Sequence, residues 1–174
     1  MTTMTAPSST TITTTPEVVA SLHDLAAAAL PRMYRQSEHR FVFTERAAAN
    51  GFEYGGRSVR YSAIAVIGLA STNRVVLPFD HEERRLIAAT LLENLPASGL
   101  GDAALIGWAA TLAGLPAEAA WSRIEALALA DSPQPTIELA WALTALCVSR
   151  PTRQDALRLR IAERLMSVYS DRAC

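Results

Sequence analysis

The side chains that could do chemistry lie mostly in three short segments. Residues 56–61 read Gly-Arg-Ser-Val-Arg-Tyr, a polar and cationic head on the apolar run that follows to residue 70. The start of a helix attracts anions through its free N–H groups and its macrodipole. Ser58 is placed to cap such a helix. Arg57, Arg60 and Tyr61 could then hold a carboxylate, a phosphate or a sugar, since a guanidinium meets such groups with two parallel bonds. Asp102 stands at the start of a second apolar helix, and Glu138 lies inside a third. With Glu53 they are the candidate carboxylates for a general acid and base, and glycoside hydrolysis needs two of them facing across the bond. A plainer assignment stands beside this one. In it Ser58 caps, Tyr61 packs, and the arginines pair with Glu53 and Glu45. Asp102 is then an N-cap, and Glu138 points outward or caps.

Other chemistries find little support. His23, His39 and His81 are scattered, with no spacing that would hold a metal, so no metal and no cofactor are expected. No G-x-S-x-G nucleophile motif occurs, and a chain without lysine has no phosphate-binding P-loop. Cys147 falls in an apolar helix as a buried thiol, and Cys174 is the last residue; neither belongs to a C-x-x-C pair. Two such cysteines fit a reducing cytoplasm. The formal charge of −1 points to neither nucleic acid nor an anionic membrane. Apolar runs shorter than about 18 residues predict no membrane span. All sixteen basic residues are arginine, which together with the abundant alanine suggests a GC-rich bacterial coding bias.

The elements that must position these residues are helices. Half of the 174 residues are hydrophobic, dominated by Ala and Leu, and few are aromatic. Residues 1–14 are Thr/Ser-rich and predict a disordered leader, and 15–171 a single helical-repeat domain. A first helix starts at Thr15-Pro16 and ends at Pro31. Residues 40–54 alternate briefly around Asn50-Gly51 and predict a small β-hairpin or an ordered loop. Six further helices follow. The second covers roughly 57–72. The third opens with a D-x-x-E capping box at Asp80–Glu83. The fourth starts at Gly101-Asp102, and the fifth has Pro116 at its first position. Pro133 and Pro135 lead the sixth, and the seventh starts at Pro151-Thr152.

The helices repeat. IGLA at 67–70 matches IGWA at 106–109, and ALIGWAATLA at 104–113 matches IELAWALTAL at 137–146, with Trp108 over Trp141. Each unit is an apolar helix followed by an amphipathic one, the signature of repeated αα-hairpins with buried inner helices. Trp108 and Trp141 could stack on sugar rings, although aromatics at mid-helix usually pack in a core. On these residues and on G-x-S-x-R-Y-x-A-I-x-x-I-G-L-A at 56–70, the chain resembles part of an α/α-toroid of the six-hairpin glycosidase or terpenoid-cyclase kind. The resemblance spans about residues 16–170 and implies a cavity at one end of the inner helices. Complete rings contain more than seven helices, and no D-x-D-D cyclase motif is present, so the likeness is to about half a ring.

Two functions follow as expectations. One is a partial toroid or curved solenoid that binds or processes a carbohydrate, or holds an anionic small molecule, at Arg57, Ser58, Arg60, Tyr61 and Asp102. The other is a non-enzymatic scaffold for protein–protein interaction or self-association. In the second, the helix at 152–170 presents Leu157, Ile161, Leu165, Met166 and Val168 as an uncovered edge for a homodimer or a partner protein.

Overall fold

The computed structural model describes residues 15–72, 78–130, 132–149 and 154–168. The predicted leader at 1–14, the predicted start of the last helix at Pro151-Thr152, and Cys174 lie outside the described residues. The fold is mainly helical, with seven α-helices and two small antiparallel strand pairs among the described residues. Helix α1 spans Thr15–Met33 and runs through Pro31 rather than stopping there. A proline there gives up its N–H bond and crowds the carbonyl four residues back, and the helix ends two residues later. Most of α1 is exposed, including Val19, Leu22 and Leu25, and only its end, at Leu30 and Met33, packs against the core.

The segment at 40–54, read as a hairpin or loop, holds the second strand pair and one strand of the first, whose partner lies just before it. β1 (Tyr34–Arg35) pairs with β2 (Arg40–Phe41), and β3 (Thr44–Ala48) pairs with β4 (Gly51–Gly55). Residues 40–44 are therefore divided between two hairpins. Ala48 faces Gly51 across the second turn, and Gly51 at φ 127° takes a conformation that other residues avoid. Rings of Tyr34, Phe41 and Phe79 lie 5.1–5.2 Å apart and fix the first hairpin to the helical body. Buried Ser62 ties it further. Its hydroxyl accepts from the Phe41 amide at 3.1 Å and donates to the Ser58 carbonyl at 3.0 Å.

Six helices follow: α2 (Val59–Ser71), α3 (His81–Glu93), α4 (Leu100–Leu112), α5 (Glu118–Ala128), α6 (Thr136–Ser149) and α7 (Asp155–Ser167). α2, α4 and α6 lie side by side with α4 in the middle. α3 packs on α2 and α4, α5 on α4, and α7 on α6. Composition explains the layers. Each of α2, α4 and α6 carries a single charged residue, and that residue is in the first turn. Such helices can be buried on several sides. Leu100, Ile106, Leu139 and Leu146 are almost fully buried from the inner layer, Ile87, Leu91, Ile124 and Ile161 from the outer one. Two arginines join the layers in the same way. Arg84, fourth in α3, donates to the Leu69 carbonyl near the end of α2 at 2.9 Å. Arg158, fourth in α7, donates to the Leu146 carbonyl near the end of α6 at 3.2 Å. Cations there satisfy carbonyls that the helix itself leaves open.

Several local expectations are corrected. Gly99 is the N-cap of α4, so Asp102 is the third helical residue and not the cap. Ala117 precedes α5, leaving Pro116 outside the helix. Cys147 is exposed rather than buried, on the side of α6 away from buried Leu139, Ala142 and Leu146. Leu157 and Ile161 are 3% and 1% exposed: they form the contact of α7 with α6 and are not an open edge. The exposed apolar residues of α7 are Leu159, Met166 and the adjacent Val168. No described helix is long and apolar enough to cross a membrane.

Candidate functional site

The single charges of the three inner helices meet. Arg60, in the first turn of α2, donates from Nε to Oδ1 of Asp102 at 2.7 Å and from Nη2 to Oε1 of Glu138 at 3.1 Å. Its guanidinium lies 4.9 Å from the ring centre of Trp141, one turn further along α6. All three charges belong to first turns, so the helices enter from the same end and run parallel. The electrostatics are mutually supporting. Carboxylates suit the positive ends of α4 and α6. A cation at the start of α2 is unfavourable alone and is offset by the two carboxylates. The bond to Asp102 above all, then its charge and those of Glu138, hold Arg60 more firmly protonated against the opposing effect of burial.

Glu138 has a second task. Gly99 offers α4 no capping side chain, and Oε2 of Glu138 accepts from the Gly101 amide at 3.0 Å instead. One helix thus caps its neighbour, satisfying an N–H that α4 cannot satisfy itself. The contact requires glycine: a Cβ on Gly101 would lie 2.9 Å from Cγ of Glu138 and 3.0 Å from the Trp141 ring.

The other sequence-selected residues lie elsewhere. Ser58 caps α2 as expected, accepting from the Tyr61 amide at 3.3 Å. Arg57 pairs with Glu38 at 2.9 Å, not with Glu45 or Glu53, and is largely solvated. Tyr61 stacks on Phe43 at 5.3 Å on another side of α2. Glu53 is exposed on β4 opposite Arg46, and Glu45 accepts from the Tyr54 hydroxyl at 3.0 Å. Of the seven candidates, Arg60, Asp102 and Glu138 come together; Arg57, Ser58, Tyr61 and Glu53 do not join them. Trp108 and Trp141 are both partly buried against the core.

A second polar cluster had no sequence signal. The Tyr34 hydroxyl donates to Oε1 of Glu83, and Nδ1 of His39 stands 3.2 Å from both of those oxygens. Burial first, then the bond to and charge of Glu83, raise the Tyr34 phenol well above its ordinary range. The capping box that pointed to Glu83 is only half formed. Oδ1 of Asp80 accepts from the Glu83 amide at 2.8 Å, but the Glu83 carboxylate turns to Tyr34 and His39. Residues 34, 39 and 83 share no motif, so only the fold brings them together. Compared with protein-family models, with curated proteins and with solved structures, the chain matches none.

Proposed function

We propose that this chain is a non-catalytic helical-repeat module that associates with a second copy of itself across the open side of α6 and α7. The observation that carries this is a set of exposed apolar side chains on the last two described helices. On α6 it contains Ile137, Cys147 and Val148, and on α7 Leu159 and Met166, the last 70% exposed. Leu139, Ala142 and Leu146 bury the opposite side of α6. A second copy fits because such an edge is self-complementary under two-fold symmetry. Exposed Arg160 and Glu163 on α7 carry opposite signs, so a two-fold pairing can set each against the other. Asp102 and Glu138, both held by Arg60, support structure more readily than acid–base catalysis.

A second reading, saccharide binding by a partial α/α-toroid or curved solenoid, has its own support. Trp141 is partly exposed beside two carboxylates, a combination suited to a sugar ring. Light scattering across a concentration range separates the two. The first predicts a dimer for the natural chain and a folded monomer for Leu159→Glu/Met166→Glu, with unchanged circular dichroism. A natural chain that stays monomeric throughout rejects it. Tryptophan fluorescence that shifts with an oligosaccharide in such a monomer, and fails to shift in Trp141→Phe, favours the second.

A further inference from the structure

α1 and α2 flank a common space without packing closely on each other. Between them runs a groove of about 460 Å³. The helices are antiparallel: at one end the Met33 carbonyl of α1 accepts from the Val42 amide and the neighbouring Phe43 stacks on Tyr61 of α2, and at the other His23 bonds Thr72. From Tyr61 to Thr72 the groove extends about 16 Å at the helical rise. Its walls are small, with Ala26 and Ala27 on α1 facing Ala65 and Gly68 on α2. Helices with such faces can approach closely, and protein interiors hold few voids larger than a water molecule. Here Phe41 and Phe43 fill one end, the His23–Thr72 pair bridges the other, and the middle stays open. A Cβ on Gly68 would meet no atom within 4 Å.

Among the described residues the lining contains no carboxylate and no arginine. Its polar groups are the Tyr61 phenol at one end and, at the other, the pair formed by Nε2 of His23 and Oγ1 of Thr72, 3.0 Å apart. The geometry points to a binding site for a single extended aliphatic chain ending in an uncharged oxygen, of the fatty-alcohol class. Size supports it, since pockets for small apolar molecules span about 300–1,000 Å³. Charge supports it too: no described lining residue is placed to balance a buried ammonium, and among them a carboxylate would have only His23. This site is separate from the α6–α7 edge and independent of the self-association proposed there.

Nile red fluorescence, with dodecanol as competitor, tests the site. The expected result is a saturable rise that dodecanol reverses. Gly68→Leu and Ala65→Leu fill the groove from a helix that tolerates leucine, and each should weaken dodecanol at least about tenfold without lowering Tm. His23→Leu removes one hydrogen bond and should weaken dodecanol about five-fold while leaving dodecane unchanged. Two outcomes overturn the assignment: no saturable competition by dodecanol, or natural affinity in both filled variants, which would put the probe on another surface. Equal loss of dodecanol and dodecane in His23→Leu would overturn the polar end.

Discussion

At the scale of single residues, Arg60 is the junction of the inner helices, and its removal should be felt. Arg60→Leu leaves two partly buried carboxylates side by side. The pair is neither fully solvated nor fully buried, so the loss should be about 2 kcal/mol, between the values for exposed and buried ion pairs. Adding Asp102→Asn should restore part of that loss by removing the repulsion. Urea denaturation of the two variants checks this, and an Arg60→Leu chain as stable as the natural one would refute it. Tyr34 gives a pH dependence of known sign. Its ordinary value is 10.0, and the folded chain holds the proton more tightly. Above about pH 10 the unfolded chain gives up a proton that the folded chain keeps, so stability falls as pH rises. In Tyr34→Phe this contribution is absent. The Tm advantage of the natural chain over Tyr34→Phe should therefore shrink from pH 9 to pH 11, and a constant gap would contradict it.

At the scale of elements, one sequence repeat serves two packings. Gly68 and Gly107 occupy matching places in IGLA and IGWA. Gly107 lets α5 approach α4, since a Cβ there would lie 2.8 Å from the Trp121 ring and 3.0 Å from Cβ of Ala120. Gly68 faces the open groove. Alanine is better than glycine in a helix by about 1 kcal/mol. Gly68→Ala should gain up to that amount. Gly107→Ala should lose about 1–3 kcal/mol, because overpacking at Trp121 outweighs the gain. Thermal melts of the two variants should shift in opposite directions; a shared direction would mean that α4 and α5 can move apart freely. The arginines at the fourth positions of α3 and α7 show the repeat kept in a contact, with Trp121 at that place in α5. There a ring packed on glycine replaces a bond to a carbonyl.

At the scale of the whole molecule, the helices, their order and their alternation were legible in the sequence. Apolar periodicity, prolines and small-residue runs are local signals, and burial of α2, α4 and α6 follows from their near lack of charge. The three lone first-turn charges were legible as candidates too, because a single charge in an apolar helix must find water or a partner. Their being partners of one another was not legible. Arg60 and Glu138 are 78 positions apart, and their contact depends on three parallel helices sharing one end. Separations of 49 and 44 positions hid Glu83 from Tyr34 and His39, and the expected edge was misdirected for another reason: Leu157 and Ile161 fit an apolar stripe equally well whether α6 covers them or solvent does. A local pattern fixes which face of a helix is apolar. Which neighbour covers that face, and whether a charge meets its opposite, depends on contacts between distant segments, and those exist only once the chain has folded.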